Sequence, residues 1–209
     1  MFRDFRAGNA ETRSNPQLQA EKMFGAEVGV DLVGETARFG VTLYRHALEQ
    51  IITNVTLSST PQLIVRQRQN AASALARGVD ATAEARWRNF RGEVGYLYSS
   101  SAFVTGERVP QVPKHSGSAQ LTFSKAGTII SGGMRSYSLQ FEDDRNQFIL
   151  PGFANLQLTA RRELARGFSA MAAVENLLGR EYLVGFSPTP LIGSPRLWRV
   201  GLRWEGRVR

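Results

Sequence analysis

Apolar and polar residues alternate with period two along most of this chain. The clearest case lies near its end. Trp198, Val200, Leu202 and Trp204 project to one side, and Leu197, Arg199, Gly201 and Arg203 to the other. Successive side chains of a β-strand point to opposite faces. The segment therefore predicts a strand with an aromatic–aliphatic face and an arginine–glycine face. Phe24, Ala26, Val28, Val30 and Leu32 repeat the pattern against Gly25, Glu27, Gly29 and Asp31. Ala37, Phe39, Val41 and Leu43 do so against Arg38, Gly40, Thr42 and Tyr44. The alanine-rich run 71–85 has helical propensity, but the charges at Asp80, Glu84, Arg86 and Arg88 keep period two, so a strand ending at Trp87 is predicted.

Further strands are predicted through Val94–Tyr98, Ala119–Phe123, Ala154–Ala160 and Phe168–Val174. The stretch 129–141 is interrupted at Gly132-Gly133, where a β-bulge would switch the faces. Short turns at Gly34-Glu35, Asn89-Phe90, Ala126-Gly127 and Arg166-Gly167 alternate with longer connections at 45–61, 105–114, 142–146 and 178–195. The expectation is an all-β chain of antiparallel, up-and-down strands, about nine or ten at the usual length of a membrane strand. Alternation alone fits two arrangements. A soluble barrel or sandwich buries the apolar face; a transmembrane barrel turns it to lipid and keeps the polar face around a wet lumen.

Composition narrows the chemistry. Hydrophobic residues make up 42% of the 209 and aromatics 10%, which excludes a disordered chain. There is no Cys and only His46 and His115, so a thiolate or histidine metal site and a histidine-based triad are not expected. Asp143-Asp144 reads as a solvated loop pair, too few oxygens for calcium. The two histidines, placed near strand ends, read as loop polarity. No enzyme activity and no cofactor are expected. The net charge of +8 is carried almost wholly by arginines scattered singly through the strands, which argues against nucleic-acid binding. No stretch is long and apolar enough for a transmembrane helix, and residues 1–6 have no apolar core of an export signal.

Several strings, in order, resemble the C-terminal barrel portion of TonB-dependent outer-membrane receptors. They are Phe5-Arg6-Ala7-Gly8-Asn9, Asn15-Pro16-Gln17-Leu18-Gln19-Ala20-Glu21, Glu27-Val28-Gly29, Ala76-Arg77-Gly78-Val79-Asp80 and Val109-Pro110-Gln111-Val112-Pro113-Lys114-His115. Val174-Glu175-Asn176-Leu177-Leu178-Gly179-Arg180-Glu181-Tyr182 and Gly193-Ser194-Pro195-Arg196 complete the set. Each string is weak alone; their succession carries the resemblance.

The resemblance implies part of a transmembrane β-barrel of about 22 strands with a plugged lumen. It implies residence in the bacterial outer membrane. It also implies uptake of a scarce ligand, of ferric-siderophore, cobalamin or carbohydrate type, driven through TonB acting on an N-terminal box and plug. Residues 1–22 are expected as an outer loop or strand edge, 23–205 as barrel and 206–209 as a short tail. No plug or TonB box has a counterpart here, and the last strand aromatic, Trp204, is followed by five more residues. A C-terminal fragment or truncated gene product is the expectation. The other readings are a small stand-alone barrel (porin or adhesin) and a soluble ligand-binding β-sandwich.

By parity, Arg38, Tyr44, Glu84, Arg86, Gln120, Gln157, Arg199 and Arg203 are expected to face the lumen, where the resemblance implies that some side chains contact ligand and the rest line a wet wall. The family motifs imply structural roles for Asn15, Pro16, Asn176, Leu177, Tyr182, Pro195 and Arg196. Asn15-Pro16 and Ser194-Pro195 read as turn and strand-entry residues.

Overall fold

A computed structural model of the chain describes residues 3–165, 167–186 and 189–205. The turn position Arg166 and the tail 206–209 lie outside the described residues. Every regular element is a strand: β1 (Phe5–Ala7), β2 (Ala10–Arg13), β3 (Lys22–Val33), β4 (Ala37–Ser59), β5 (Ile64–Trp87), β6 (Phe90–Phe103), β7 (His115–Lys125), β8 (Thr128–Tyr137), β9 (Gln140–Phe141), β10 (Ile149–Leu150), β11 (Phe153–Glu163), β12 (Phe168–Glu175), β13 (Leu183–Gly185), β14 (Leu191–Ile192) and β15 (Leu197–Trp204).

An 11-stranded sheet holds all but β9, β10, β13 and β14, which form two small hairpins. Nine of its strands run in chain order β3-β4-β5-β6-β7-β8-β11-β12-β15, each antiparallel to its neighbours. The exception to antiparallel pairing is short: β2 lies parallel to the start of β5 (Ala10 opposite Ile64). Among the described residues β3 pairs only with β4, and β15 only with β12, so the sheet is open at both ends.

The short connections gather at one end of the sheet. The turn after Trp87 falls one residue earlier than expected, with Arg88 and Asn89 between paired residues Trp87 and Phe90. At Ala126-Gly127 both residues take positive φ (47° and 73°), the two-residue turn that suits the right-handed twist of a hairpin. The connections 104–114, 138–152 and 176–196 gather at the other end.

Two expectations fail here. Residues 45–61 are not a loose connection: β4 runs for 23 residues and β5 for 24, joined by a tight turn at 60–63. Their register shifts between Leu48 and Ile51, Ile51 and Ile52, and Thr56 and Ser58. Gln50 sits at φ 55°. Each irregularity resets which face a side chain takes, so period two disappears while the backbone bonds continue. Conversely, no bulge occurs at Gly132-Gly133, because β8 keeps an unbroken register with both β7 and β11. A Cβ on Gly133 would lie 3.0 Å from Nε2 of Gln157, whose side chain folds across it. The glycines leave gaps on both faces, and the gaps hid the alternation.

The apolar face is open. Phe39, Val94, Leu158 and Trp198 are 46%, 56%, 41% and 68% exposed, and Val200 is 86% exposed. Buried apolar side chains are few: Val65, Ala74, Phe103, Leu150 and Val174 among the described residues. Among the described residues no second layer covers the apolar side, so the sandwich arrangement is excluded. In water such a surface far exceeds what a soluble monomer leaves uncovered.

Candidate functional site

The register of the strands assembles a transverse row on the polar face. Arg38 lies opposite Glu84, Glu84 opposite Glu93, Glu93 opposite Gln120, Gln120 opposite Gly133, and Gly133 opposite Gln157. Six strands thus place five polar side chains in one line. With Arg91 and Arg135 they border a groove of ≈ 410 Å³. Gly133 lets the groove pass beneath Gln157, since any larger residue would meet that amide.

The groove carries an ion-pair chain. Glu84 accepts from Arg86 Nε at 2.9 Å and from Arg91 Nε at 3.1 Å, and Arg91 Nη2 reaches Glu93 at 2.6 Å. Three arginines (Arg38, Arg91, Arg135) face two carboxylates (Glu84, Glu93) around it, which gives the groove a net cationic character. These pairs are largely solvated, so they orient side chains more than they stabilise the sheet.

Four of the eight expected lumen residues, Arg38, Glu84, Gln120 and Gln157, are brought together here, and Arg86 joins through Glu84. The other three are elsewhere. Tyr44 lies further along β4, its ring 5.2 Å from His46. Arg199 pairs with Glu175 at 2.6 Å and Arg203 with Glu205 at 2.6 Å, near the free β15 edge. Sequence reasoning missed Arg91, Glu93 and Arg135. Arg91 directly follows the expected Asn89-Phe90 turn, and only the observed pairing of Trp87 with Phe90 puts it on the polar face, opposite Arg86.

The long-connection end is stitched rather than loose. Asp143 is not a solvated loop residue: it is 6% exposed, and its carboxylate accepts the backbone N–H groups of Gln147 (2.8 Å), Phe148 (2.8 Å) and Arg145 (3.1 Å). Asp144 accepts the Thr56 hydroxyl at 3.2 Å, and Arg145 Nη2 donates to Thr56 O at 2.8 Å, so loop 138–152 grips the β4–β5 hairpin. Asn146 bonds Arg108 through both backbone groups, at 2.7 and 2.9 Å. Partial burial draws the Arg108 guanidinium below the ordinary arginine range. Thr56→Val together with Arg145→Ala should free the hairpin tip. Hydrogen exchange over residues 54–68 should accelerate by roughly ten- to a hundredfold, given about 1–3 kcal/mol for the bonds lost. His46 is likewise not at a strand end: it sits within β4, 3.0 Å from Glu27.

Among the described residues, no group of three or more His, Asp or Glu side chains is placed to hold a metal ion. The model for "TonB dependent receptor-like, beta-barrel" matches residues 2–177. The chain belongs to this TonB-dependent receptor family. No curated protein matches it in sequence. The sheet is similar to the copper transporter OprC (TM-score 0.75, 16% identity, 89% of this chain and 31% of that chain). It is also similar to the ferric citrate transporter FecA in its unliganded form (0.73, 16%, 87% and 31%). A third likeness is to the pyoverdine outer membrane receptor FpvA from Pseudomonas aeruginosa PAO1 bound to pyoverdine (0.71, 17%, 92% and 31%). At these identities the likeness is one of fold: an arc of barrel wall. The chain spans under a third of each of these three structures.

The motif residues expected to be structural in this TonB-dependent receptor chain fall at the long-connection end. Asn176 is 2% exposed and sits at φ 48°. Its Nδ2 donates to the carbonyls of Arg180 (2.8 Å) and Ser194 (3.1 Å), and its Oδ1 accepts the Arg180 N–H at 3.1 Å. Leu177 N–H donates to Leu156 O at 2.8 Å. The Tyr182 ring stacks on Phe153 at 4.2 Å and its hydroxyl accepts from Asn155 at 3.1 Å. Ser194 and Pro195 lead into β15, and the Arg196 guanidinium packs against Gly179. Asn15 donates to Arg68 O at 2.9 Å and accepts the Gln17 N–H, so the Asn15-Pro16 turn is pinned to β5.

Proposed function

We propose that this chain forms an arc of the wall of a TonB-dependent receptor in the bacterial outer membrane, serving uptake of a scarce anionic chelate. The observation that carries the reading is the opposition of the two faces. The outer face is apolar and uncovered, as acyl chains require, and the inner face holds a continuous polar row. Burying each large side chain in hydrocarbon contributes about 1.5–3 kcal/mol, enough over a whole face to hold the wall in a bilayer.

The open edges of β3 and β15 support completion by further strands, since unpaired backbone groups are not tolerated in lipid. A stand-alone barrel would need β3 joined to β15, and no such pairing occurs among the described residues. On this reading a plug fills the lumen against the groove and the TonB system acts on that plug. The excess of arginine around the groove favours a negatively charged ferric chelate over a neutral sugar.

Cell fractionation tests the location: recovery in the outer-membrane fraction, extraction only by detergent and heat-modifiable migration are expected. Disrupting the gene should abolish accumulation of one labelled ferric chelate while leaving carbohydrate uptake intact. Unchanged chelate uptake across a panel, or recovery in the soluble fraction, would refute the proposal.

A further inference from the structure

On the outer face, the apolar side chains of β4 run Ala37, Phe39, Val41, Leu43, and the next outward residue is Arg45. On β5 they run Trp87, Ala85, Ala83, Ala81, Val79, and the next is Arg77. The register sets Arg45 directly opposite Arg77. Both are exposed, and their flanking partners are Ala26 on β3 and Ser100 on β6, neither of them charged. Among the described residues, neither guanidinium forms an ion pair with a carboxylate.

Like charges directly opposite on one sheet face repel. The arrangement is unfavourable alone and favourable around an anion that both can reach. Its height fits such a partner. From Trp87 to Val79 the apolar run climbs about 27 Å along the strand, or about 20 Å across a bilayer at the usual tilt. The arginines therefore emerge where hydrocarbon gives way to headgroups. Immediately below them on the same face sit Tyr98 and His115, also in register, with the Tyr96 hydroxyl 2.7 Å from His115 Nδ1. These are interfacial side chains, apolar in body and polar at the tip. The opposite rim is marked by Trp87, Phe90 and Phe123.

We propose that Arg45 and Arg77 form a binding site for the phosphate of an anionic lipid headgroup at the long-connection rim of the outer face. The planar guanidinium can bind phosphate oxygens in pairs, and two opposed ones can take a single phosphate between them. The proposal rests on the membrane reading above.

The test uses the complete natural protein, purified and placed in nanodiscs with equal amounts of phosphatidylglycerol and phosphatidylcholine. Lipid retained after detergent exchange is then counted by native mass spectrometry. Wild type should retain the anionic lipid by roughly tenfold over the variant R45Q/R77Q. The charge-matched double variant K125Q/R162Q, outward-facing at the opposite rim, should retain it like wild type. Equal retention in R45Q/R77Q and wild type would overturn the proposal. So would inorganic phosphate at millimolar concentration displacing the lipid in an arginine-dependent way, since the site would then be one for free phosphate. Heat-modifiable migration of every variant is read in parallel. A chain that fails to enter the nanodisc refutes the membrane reading, whereas an inserted chain without lipid preference refutes this proposal alone.

Discussion

Asn176→Ala is expected to unfold the end of the wall where β12 hands over to β15. The side chain is almost fully buried and bonds three backbone groups, tying residue 180 and residue 194 to the end of β12. Removing it strands two carbonyls and one N–H in a site from which water is largely excluded, and each buried group left unpaired costs about 1–3 kcal/mol. Alanine also accepts the left-handed backbone at φ 48° less readily than asparagine, adding about 1 kcal/mol. The total is on the order of 3–5 kcal/mol, which ranks among the largest single-residue effects.

Two companion variants separate the causes. Asn176→Gly relieves the backbone but loses the bonds, so it should fall between wild type and alanine. Asn176→Asp keeps an acceptor for the Arg180 N–H but sets a carboxylate against two carbonyls, so it should be the worst. Urea unfolding of the detergent-held protein, read by loss of heat-modifiable migration, gives the order. An alanine variant as stable as wild type would mean that the three bonds are replaced by water.

This residue marks the boundary of what the sequence made legible. Its structural role came from a motif and not from periodicity; the positive φ and the bond to Ser194 are facts of the folded chain. Alternation was readable wherever a strand kept a single register, as in β3 and β15. It failed in the outer half of β4, where bulges reset parity, and at Gly132-Gly133, where absent side chains looked like a fault. The polar row was half legible. Parity selected Arg38, Glu84, Gln120 and Gln157 individually, but that they form one line depends on inter-strand register, which single strands do not encode. Asp143 was misread because its three backbone partners exist only once the loop has turned.

The orientation of the wall makes the sharpest contrast available, at neighbouring positions on β6 and β7. Val94 is 56% exposed on the apolar face, opposite Ala119. Gln120, the next residue along β7, is exposed on the polar face. Val94→Arg would put a charge among acyl chains near mid-height of the apolar run, a cost of about 2–4 kcal/mol for a barrel in a bilayer. Gln120→Arg would put the same charge in the wet groove, where the change should stay within about 0.5 kcal/mol. In a soluble sheet with both faces in water the ranking would collapse, since Val94→Arg would then remove an exposed apolar side chain and improve solubility. The measurement is the folded fraction after refolding into phosphatidylcholine vesicles, with urea midpoints for both variants. If Val94→Arg folds as well as Gln120→Arg, the apolar face does not meet lipid. The difference in sign between water and bilayer makes the pair decisive, because no adjustment of local packing produces that reversal.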